Sequence, residues 1–264
     1  MEISGKTAFI TGSARGIGKA LAIAMAERGC DVIGCDLRVD TQAGTRAAVE
    51  ATGRRYVALE ADLSEVEQAV AVTQEAVSQG FDILVNNAGI ATSGDFDAVP
   101  FARWQKTIAV NLTGLMAITH TALPHLRTRP QGFIVNMSSI AGVIGARGME
   151  AYCASKFGVN GFTRCLGYDL QGTSVGVASI HPSMVRTRMI ENVEPGPTPE
   201  IDVADVVEAV LATLAKDRRQ TFVPKSVRWS YDIGSRIFPG IVRTMMTKDD
   251  LRGWLDADKG VPDA

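Results

Sequence analysis

The sequence predicts an α/β fold: a single doubly wound parallel sheet of seven strands with helices on both faces. Short runs of apolar, β-branched residues alternate with longer stretches of helical periodicity. These runs are almost wholly apolar and do not alternate with polar residues, which is typical of strands buried on both faces of a parallel sheet. The length of 264 residues suits one large α/β domain.

Seven strands and six helices follow one another along the chain. The predicted strands are 6–11, 31–35, 55–59, 82–86, 132–137, 175–180 and 220–224. The predicted helices are 16–28, 40–52, 64–79, 101–127, 151–171 and 202–216. Ser64 and Glu67 have the spacing of a capping box and predict the start of the third helix. The Pro- and Gly-rich stretch 194–200 is interpreted as a loop.

The composition is that of a globular chain with a large core. Apolar residues make up 46% of the sequence and charged residues 21%, which excludes disorder as the main state. A net charge of −2 excludes the overall basic field of many nucleic-acid-binding proteins. No apolar run is long enough to cross a membrane and no secretory signal is recognised, so we expect a cytoplasmic protein.

The cysteines and histidines do not have the spacing of metal ligands. The sequence contains four cysteines: Cys30, Cys35, Cys153 and Cys165. None of them forms a CxxC pair, and His120 and His125 are five residues apart, which does not place them on one face of a helix. We interpret the cysteines as small buried apolar side chains in a reducing compartment, and we predict no metal site.

A glycine-rich turn joins the first strand to the first helix. The turn consists of Gly12, Ser13, Ala14, Arg15, Gly16, Ile17 and Gly18. Glycine lets the backbone approach a pyrophosphate closely, and the start of a helix offers unpaired N–H groups. Asp36 ends the second strand, where a carboxylate can accept hydrogen bonds from the adenosine ribose. We interpret the turn as a dinucleotide-binding loop; a plain turn with a solvated Asp36 is the alternative.

Tyr152 and Lys156 lie four residues apart on a predicted helix, so their side chains share a face. A nearby ammonium group favours the phenolate, and Tyr152 can then exchange a proton with an alcohol or a ketone. Ser139 follows the fifth strand, where its hydroxyl can hold the substrate oxygen. Each residue alone has a plainer interpretation: a surface pair, a helix cap and, for Asn111, a kink or a satisfied core amide.

These motifs occur together in the order typical of the short-chain dehydrogenase/reductase family, which the chain resembles over about residues 6–224. The resemblance rests on TGxxxGxG from Thr11, NNAG from Asn86, Ser139, and YxxxK from Tyr152. It implies a Rossmann-type fold and an NAD(P)-dependent oxidoreductase that acts on CH–OH groups. It also implies hydride transfer at the nicotinamide with proton transfer through Tyr152.

The resemblance further assigns roles to individual residues. Its catalytic tetrad is Asn111, Ser139, Tyr152 and Lys156. Lys156 would also hold the nicotinamide ribose, and Asn111 would anchor a water in a proton relay. The implied contacts of the remaining cofactor are Asp62 and Leu63 at the adenine, Asn87, Ala88 and Gly89 at the adenosine ribose and centre, and Pro182 to Thr187, including Val185, at the carboxamide. Ser183 stands where the family usually has Gly, which predicts a strained dihedral or a shifted loop.

The cofactor preference depends on charges near the adenosine ribose. Asp36 favours NAD because a carboxylate there repels a 2′-phosphate. Arg15 and Arg38 argue for NADP, since either could pair with that phosphate. We give Asp36 the greater weight and expect NAD, with alcohol oxidation as the working direction.

The chain continues beyond the predicted catalytic domain, residues 1–224, into a C-terminal amphipathic extension, residues 225–264, expected to pack on the same domain. Residues 225–252 hold six basic and three acidic side chains among apolar ones. Three interpretations remain open: a lid or dimer contact, a peripheral membrane contact, and a hydrophobic wall of the substrate pocket.

The loops beside the catalytic residues are mostly apolar, so we expect a lipophilic alcohol or ketone as substrate. The residues concerned are Ala141, Val143, Ile144, Met149 and Met184. Arg147 and Glu150 are interpreted as solvated loop residues. The resemblance also implies a homodimer or homotetramer, formed largely through the Tyr152 helix and the helix after it.

Two other functions remain to be weighed against the oxidoreductase. A non-catalytic dinucleotide sensor could use the same fold, although such proteins tend to lose the Tyr/Lys pair. An epimerase or dehydratase that recycles bound NAD is the third alternative, although such relatives generally have longer chains and a differently spaced glycine loop. The absence of a GxSxG motif after any predicted strand disfavours a nucleophilic hydrolase.

Overall fold

The central sheet contains the seven strands that the sequence predicts. A computed structural model describes residues 1–187, 189, 200–237, 240, 241 and 244. The strands of this sheet are β1 (Thr7–Thr11), β2 (Asp31–Asp36), β3 (Tyr56–Glu60), β4 (Ile83–Asn86), β5 (Gly132–Met137), β6 (Val175–Pro182) and β9 (Gln220–Val223). Their order is β3-β2-β1-β4-β5-β6-β9, and every pairing is parallel. The predicted doubly wound sheet is therefore confirmed.

The helices cross between the strands close to the predicted positions. They are α1 (Gly16–Ala26), α2 (Ala43–Glu50), α3 (Val66–Gln79), α4 (Phe101–Ile108), α5 (Leu115–Leu126), α6 (Glu150–Asp169), α7 (Val203–Lys216) and the single turn α8 (Gly234–Ile237). The helix predicted over 101–127 is divided by a π-helical segment, Ala109–Gly114, between α4 and α5.

Two local predictions differ from the structure. The capping box of Ser64 and Glu67 is wrong, because the Ser64 hydroxyl donates to Asp62 Oδ1 (2.7 Å) and α3 begins only at Val66. The stretch 194–200 was expected to be a loop; residues 194–199 lie outside the described residues, and Glu200 begins the short strand β8 (Glu200–Ile201). This strand pairs with β7 (Met184–Val185), and neither was predicted because two residues carry no periodic signal.

Hydrophobic side chains fill both faces of the sheet. Neighbouring residues of one strand point to opposite faces, so Ile10 packs with Leu21 and Val210 while Phe9 packs on the other face with Leu126. Cys30, Cys35 and Cys153 are buried as expected, whereas Cys165 is exposed, which corrects the expectation for that residue. Its position on the outer side of α6 explains the difference.

The order of the strands determines where the ligand-binding crevice is expected. The chain leaves β1 toward β2 and β3 on one side of the sheet, while β4 pairs with β1 on the other side. The carboxyl ends of β1 and β4 therefore flank a topological switch point, where open α/β sheets bind ligands. The glycine-rich turn, the NNAG segment and Ser139 all follow strands at this edge.

Candidate active site

The glycine-rich turn packs directly against the NNAG segment, as their placement at one sheet edge predicts. Gly12 has a φ of 68°, and a Cβ there would lie 2.9 Å from the Ala88 Cα. A Cβ at Gly18 would overlap the carbonyl oxygen of Gly12. Asn87 Nδ2 donates to the carbonyl oxygens of Thr11 (3.0 Å) and Gly12 (3.2 Å). A side chain at either glycine would therefore push these segments apart.

The first amides of α1 are placed to receive an anion. The amides just before the helix are used within the protein, because Gly12 N donates to the Cys35 carbonyl (2.8 Å) and Ala14 N to Asp36 Oδ2 (2.8 Å). The N-cap Arg15 makes no side-chain capping bond. The amides that open a helix lack intrahelical acceptors and lie at the positive end of its dipole. Gly16, Ile17 and Gly18 thus offer a fit for the pyrophosphate of a dinucleotide.

Ser13 lies underneath this turn. Its side chain is completely buried, and its hydroxyl lies within 3.1 Å of Gln42 Oε1 and 3.0 Å of the Tyr56 hydroxyl. Ser13 therefore supports the turn from inside, and neither its side chain nor its backbone belongs to the surface that a cofactor would meet.

Acidic side chains dominate the end of β2. Besides its bond to Ala14 N, the Asp36 carboxylate accepts a hydrogen bond from Leu37 N (2.9 Å). Glu60 is paired with Asp36 in the β2–β3 register. Arg38, one of the two cations considered for a 2′-phosphate, forms an exposed ion pair with Asp40 (Nε to Oδ1, 3.0 Å). Arg15 is exposed in the turn.

Asp62 and Leu63 follow β3 at the same edge. Asp62 Oδ1 accepts hydrogen bonds from the amide (2.8 Å) and hydroxyl of Ser64. Burial raises the pKa of the Asp62 carboxyl, but these bonds and the nearby Lys106 more than offset it, so the pKa lies below its usual value. Leu63 is buried against the core of α3 and α5. The carboxylate of Asp62 is thus held ionised at the position assigned to the adenine.

Ser139 and Tyr152 meet beside the start of α6. The Ser139 hydroxyl oxygen accepts a hydrogen bond from Ala141 N (3.1 Å), which leaves its proton for another acceptor. A hydrogen bond between Ser139 and the Tyr152 phenol lowers the pKa of Tyr152, but burial dominates and raises it to about 12. The two hydroxyls are therefore close enough to hold one substrate oxygen between them.

Lys156 is buried beneath this pair. Its Nζ donates to the carbonyl oxygen of Met137 (2.9 Å) and lies 5.7 Å from the centre of the Tyr152 ring. Burial lowers the pKa of Lys156 to about 8. The expectation that the ammonium group would lower the pKa of Tyr152 is corrected, because burial raises that pKa and the hydrogen bond with Ser139 is what lowers it.

Asn111 is the central residue of the π-helical segment between α4 and α5. Its amide group is fully engaged: Oδ1 accepts from Ile90 N (2.8 Å), and Nδ2 donates to Ile90 O (2.8 Å) and Ser155 Oγ (3.1 Å). Ser155 in turn donates to the Tyr152 carbonyl (2.7 Å). The satisfied amide that was considered for Asn111 is thus present, and the backbone there is π-helical. Because its two amide protons are taken, its side chain cannot donate to a water.

Ser155 and His181 were missed by the sequence analysis. Ser155 connects Asn111 to the tyrosine helix, and its position inside the YxxxK motif was the available signal. His181 is completely buried, stacks on Phe222 and lies 3.1 Å from the Ser139 carbonyl oxygen through Nδ1. Burial lowers the pKa of His181 to about 4, so its ring is neutral at pH 7. No periodicity or motif marked this contact.

The segment assigned to the carboxamide runs from Pro182, at the end of β6, to Thr187. Ser183 N donates to the Val223 carbonyl (2.8 Å). Among the described non-glycine residues only Asp217 has a positive φ, so Ser183 does not have the strained dihedral, and the shifted loop stays a prediction. Thr187 approaches the glycine-rich turn, since its Cγ2 would lie 3.8 Å from a Cβ built on Gly16. The segment assigned to the carboxamide is therefore adjacent to the turn assigned to the pyrophosphate.

The apolar residues expected around the substrate are largely buried in two small clusters. Ala141 and Met149 pack with Cys153, and Ile144 packs with Phe222 and Val227. An open cavity of about 580 Å³ lies beside them, and half of the residues that line it are charged: Gly94, Asp95, Phe96, Asp97, Ala98, Arg147, Gly148 and Glu150. Arg147 and Glu150, expected to be solvated loop residues, therefore line the cavity nearest to the start of α6.

The C-terminal extension begins with a residue that packs against the core. Val227 packs with Ile140, Ile144 and Phe222, after which Trp229 and Ile237 are exposed. Most of the predicted extension lies outside the described residues, so its packing stays a prediction. No helix in the described part of the chain is long and apolar enough to span a membrane.

The chain is similar to known proteins both in sequence and in structure. A family model described as short chain dehydrogenase matches residues 6–198. A 3-alpha-(or 20-beta)-hydroxysteroid dehydrogenase of Mycobacterium bovis is 35% identical over 192 residues, which cover 72% of this chain and 73% of the relative. A (-)-trans-carveol dehydrogenase of Rhodococcus erythropolis is 37% identical over 210 residues, covering 72% and 75% of the two chains.

Solved structures give the same result. The carveol dehydrogenase of Mycobacterium avium, solved in complex with NAD, has a TM-score of 0.77 and 28% identity, covering 84% of this chain and 97% of its own. A metagenomic short-chain oxidoreductase solved with NADP has a TM-score of 0.72 and 28% identity, covering 84% and 98%. Similar structures thus occur with either nicotinamide cofactor.

Proposed function

The chain belongs to the short-chain dehydrogenase/reductase family, and we propose that it oxidises a lipophilic secondary alcohol to a ketone with NAD as the hydride acceptor. The family acts on CH–OH groups with a nicotinamide cofactor. One observation carries the specific proposal: Ser139, Tyr152 and Lys156 converge at the sheet edge where the glycine-rich turn and the NNAG segment also meet. This convergence also favours the enzyme over the dinucleotide sensor.

In this proposal NAD, when bound, supplies the redox chemistry, and the chain supplies proton transfer and positioning. The Ser139 and Tyr152 hydroxyls hold the substrate oxygen. Tyr152 takes the alcohol proton in oxidation and returns it to the ketone in reduction. Lys156, fixed on the Met137 carbonyl, provides a positive charge beneath the ring, which stabilises the phenolate as it forms. The Asn111 amide nitrogen, which donates to Ser155 Oγ, keeps α6 in place.

The charges near the end of β2 support NAD over NADP. Asp36 and Glu60 place two carboxylates at the position of the adenosine ribose, and Arg38 is paired with Asp40. A 2′-phosphate would meet repulsion there and would have to compete with Asp40 for Arg38.

This proposal predicts the outcome of one assay. With a panel of secondary alcohols, from short aliphatic to terpenoid and steroid, absorbance at 340 nm should rise with NAD⁺ and bulky apolar alcohols. The kcat/KM with NADP⁺ should be lower by about tenfold or more, since one repelled or unpaired charge is worth over about 1.4 kcal/mol. A preference for NADP⁺ would overturn the assignment of Asp36, and a preference for charged alcohols would overturn the lipophilic substrate. NADH binding without turnover of any alcohol would support the sensor.

The lipophilic substrate rests on the relatives and on the apolar clusters beside Tyr152. Both named relatives are dehydrogenases of hydrophobic alcohols by their descriptions. Asp95, Asp97, Arg147 and Glu150 line the neighbouring cavity, where a polar group of the substrate or solvent would be met. The proposal therefore places the apolar part of the substrate against Ala141, Met149 and Met184.

A homodimer through α5 and α6 is also part of the proposal. Met116 on α5 and Phe157 on α6 are exposed, at 42% and 46%, whereas α7 carries no large exposed apolar residue. The helix before the tyrosine helix is therefore favoured over the one after it, in contrast to the expectation from resemblance. Ala154 and Gly161 lie on the same side of α6 as Phe157, and their small size allows two helices to approach closely.

Phe157→Glu should therefore convert the assembled protein into a monomer, because a carboxylate would be buried at the interface. The measurement is molar mass by light scattering at micromolar concentration. Trp229→Glu, on the exposed part of the tail, is the matched control and should leave the mass unchanged. A wild-type monomer, or a dimer that survives Phe157→Glu and dissociates with Trp229→Glu, would contradict the assignment.

The tail and the location complete the proposal. Exposed Trp229, Ile237 and Ile241 would serve a peripheral membrane contact. The alternative, a contact with a second subunit, is the outcome that the Trp229→Glu measurement tests. Four unpaired cysteines favour a reducing compartment, which supports a cytoplasmic enzyme.

A further inference from the structure

A buried polar network lies under the glycine-rich turn and is not used by the proton-transfer chemistry. Its members are Ser13 in the turn, Gln42 before α2 and Tyr56 on β3. The Tyr56 hydroxyl lies 2.8 Å from Gln42 Oε1 and 3.0 Å from Ser13 Oγ, and Ser13 Oγ lies 3.1 Å from Gln42 Oε1. Ser13 and Gln42 have no exposed side-chain surface, and Tyr56 is only 5% exposed.

Each polar side-chain atom of the network has a partner. Gln42 Oε1 accepts from the hydroxyls, and Gln42 Nε2 donates to the Leu59 carbonyl on β3 (2.7 Å). Burial raises the pKa of Tyr56 to about 12, so its hydroxyl keeps the proton that the network needs. Satisfied buried networks fix one arrangement, because any displacement leaves a polar group without a partner.

Strand β2 lies between Tyr56 on β3 and the turn that follows β1, and it has no side chain at the position between them. Gly34 on β2 lies directly under the Tyr56 hydroxyl, and a Cβ at this position would overlap that hydroxyl oxygen. The same Cβ would lie 2.5 Å from Ser13 Oγ. Gly34 therefore opens the passage through which Tyr56, one strand away, reaches the turn that follows β1.

Ser13 is held from three directions. Its amide donates to the Cys35 carbonyl (3.3 Å), its carbonyl accepts from the Thr45 hydroxyl (2.9 Å), and its side chain is held by Tyr56 and Gln42. The next residues, Arg15 and Gly16, are the N-cap and first residue of α1. The position of Ser13 therefore sets the direction of the first amides of the helix.

We propose that Tyr56 and Gln42 are positioning residues for dinucleotide binding, which hold Ser13 so that the amides of Gly16 to Gly18 are preorganised for the pyrophosphate. The inference rests on the proposed NAD-dependent function. A preorganised turn loses little conformational entropy on binding, so the network contributes to cofactor affinity without touching the cofactor. It should act on cofactor binding and leave the proton transfer at Tyr152 unchanged.

The test compares Tyr56→Phe with the wild-type protein. Removing the hydroxyl leaves Gln42 and Ser13 without one partner, which costs about 1–3 kcal/mol when the groups stay buried. A turn that is held less firmly must be ordered when the cofactor binds, so part of this cost should appear as weaker binding. The Kd for NADH should therefore rise about five- to twentyfold. NADH fluorescence titration measures this Kd directly. The kcat at saturating NAD⁺ and the KM for the alcohol should stay within about twofold.

Thr213→Val is the matched control for loss of a buried hydroxyl. Thr213 on α7 is completely buried, and its hydroxyl lies 2.8 Å from that of Thr221 on β9, at the opposite edge of the sheet from β3. This variant should lower the melting temperature without changing the Kd for NADH. Ser13→Ala, a smaller change, repeats the test from the turn itself if Tyr56→Phe does not fold.

The outcomes distinguish the positioning role of the network from the proposed NAD-dependent function. A higher Kd with Tyr56→Phe or Ser13→Ala, and an unchanged Kd with Thr213→Val, supports the positioning role. An unchanged Kd in a folded Tyr56→Phe protein with a lowered melting temperature overturns it and leaves a purely structural network. Failure of the wild-type protein to bind either NADH or NADPH overturns the proposed function itself.

Discussion

Tyr152→Phe should lower kcat by a factor of about 10² to 10⁴, the range that general acid–base catalysis contributes, while NADH still binds. The substitution removes only the phenolic hydroxyl, which the proposal makes the proton acceptor of the reaction. The ring and its contacts with Ala141, Met149 and Cys153 remain, so the fold should be retained. Initial rates at 340 nm and NADH fluorescence titration, performed on the same preparation, measure the two effects separately.

Tyr168→Phe provides the control on the same helix. Tyr168 is 63% exposed near the end of α6, so the loss of its hydroxyl should change neither rate nor affinity. Turnover of Tyr152→Phe within tenfold of the wild type would rule out Tyr152 as the acid/base. Unchanged cofactor binding with abolished turnover would also exclude the dinucleotide sensor, because the function of a sensor requires NADH binding and no proton transfer through this hydroxyl.

The fold was predictable because its signals are local and strong. Apolar runs such as 132–137 identify strands buried on both faces, and β5 is buried along its whole length. The turn at Gly12 to Gly18 is likewise encoded by its own glycines. The two-residue strands β7 and β8 and the π-helical segment around Asn111 were not predictable, because they depend on packing rather than on a periodic pattern.

The proximity of Ser139, Tyr152 and Lys156 was predictable, but their individual states were not. Spacing places Tyr152 and Lys156 on one helical face, yet it gives no measure of burial, and burial decides the pKa values of both residues. Spacing also assigned Ser13 to the cofactor, although its side chain points inward. The partners that explain this orientation, Gln42 and Tyr56, come from elements 29 and 43 residues further along the chain.

Lys156→Met should produce a protein that is more stable and nearly inactive. Lys156 is only 4% exposed, and burial lowers its pKa from 10.5 to about 8, so the fold bears a cost for its charge at pH 7. That cost is on the order of 3 kcal/mol, since each pKa unit corresponds to about 1.4 kcal/mol, and the lost bond to the Met137 carbonyl offsets part of it. We expect a net gain of about 1–2 kcal/mol in the free energy of unfolding. The kcat/KM should fall about 10²- to 10⁴-fold, as for Tyr152→Phe.

The dependence on pH identifies the charge as the cause. Below pH 8 Lys156 is protonated in both the folded and the unfolded protein, and the full cost is present. Between pH 8 and 10.5 the folded protein has released this proton while the unfolded chain retains it, so the wild-type protein gains stability relative to the variant as the pH rises.

Urea unfolding of both proteins at pH 7 and pH 10, without added cofactor, should show the difference in the free energy of unfolding becoming smaller. Lys156→Arg is the control, because a guanidinium remains charged and its cost should not decrease over this interval. A difference between wild type and Lys156→Met that is the same at both pH values would show that packing, and not the buried charge, separates the two proteins. The residue that positions the proton transfer would then carry no stability cost, and the trade-off between activity and stability at this site would have to be abandoned.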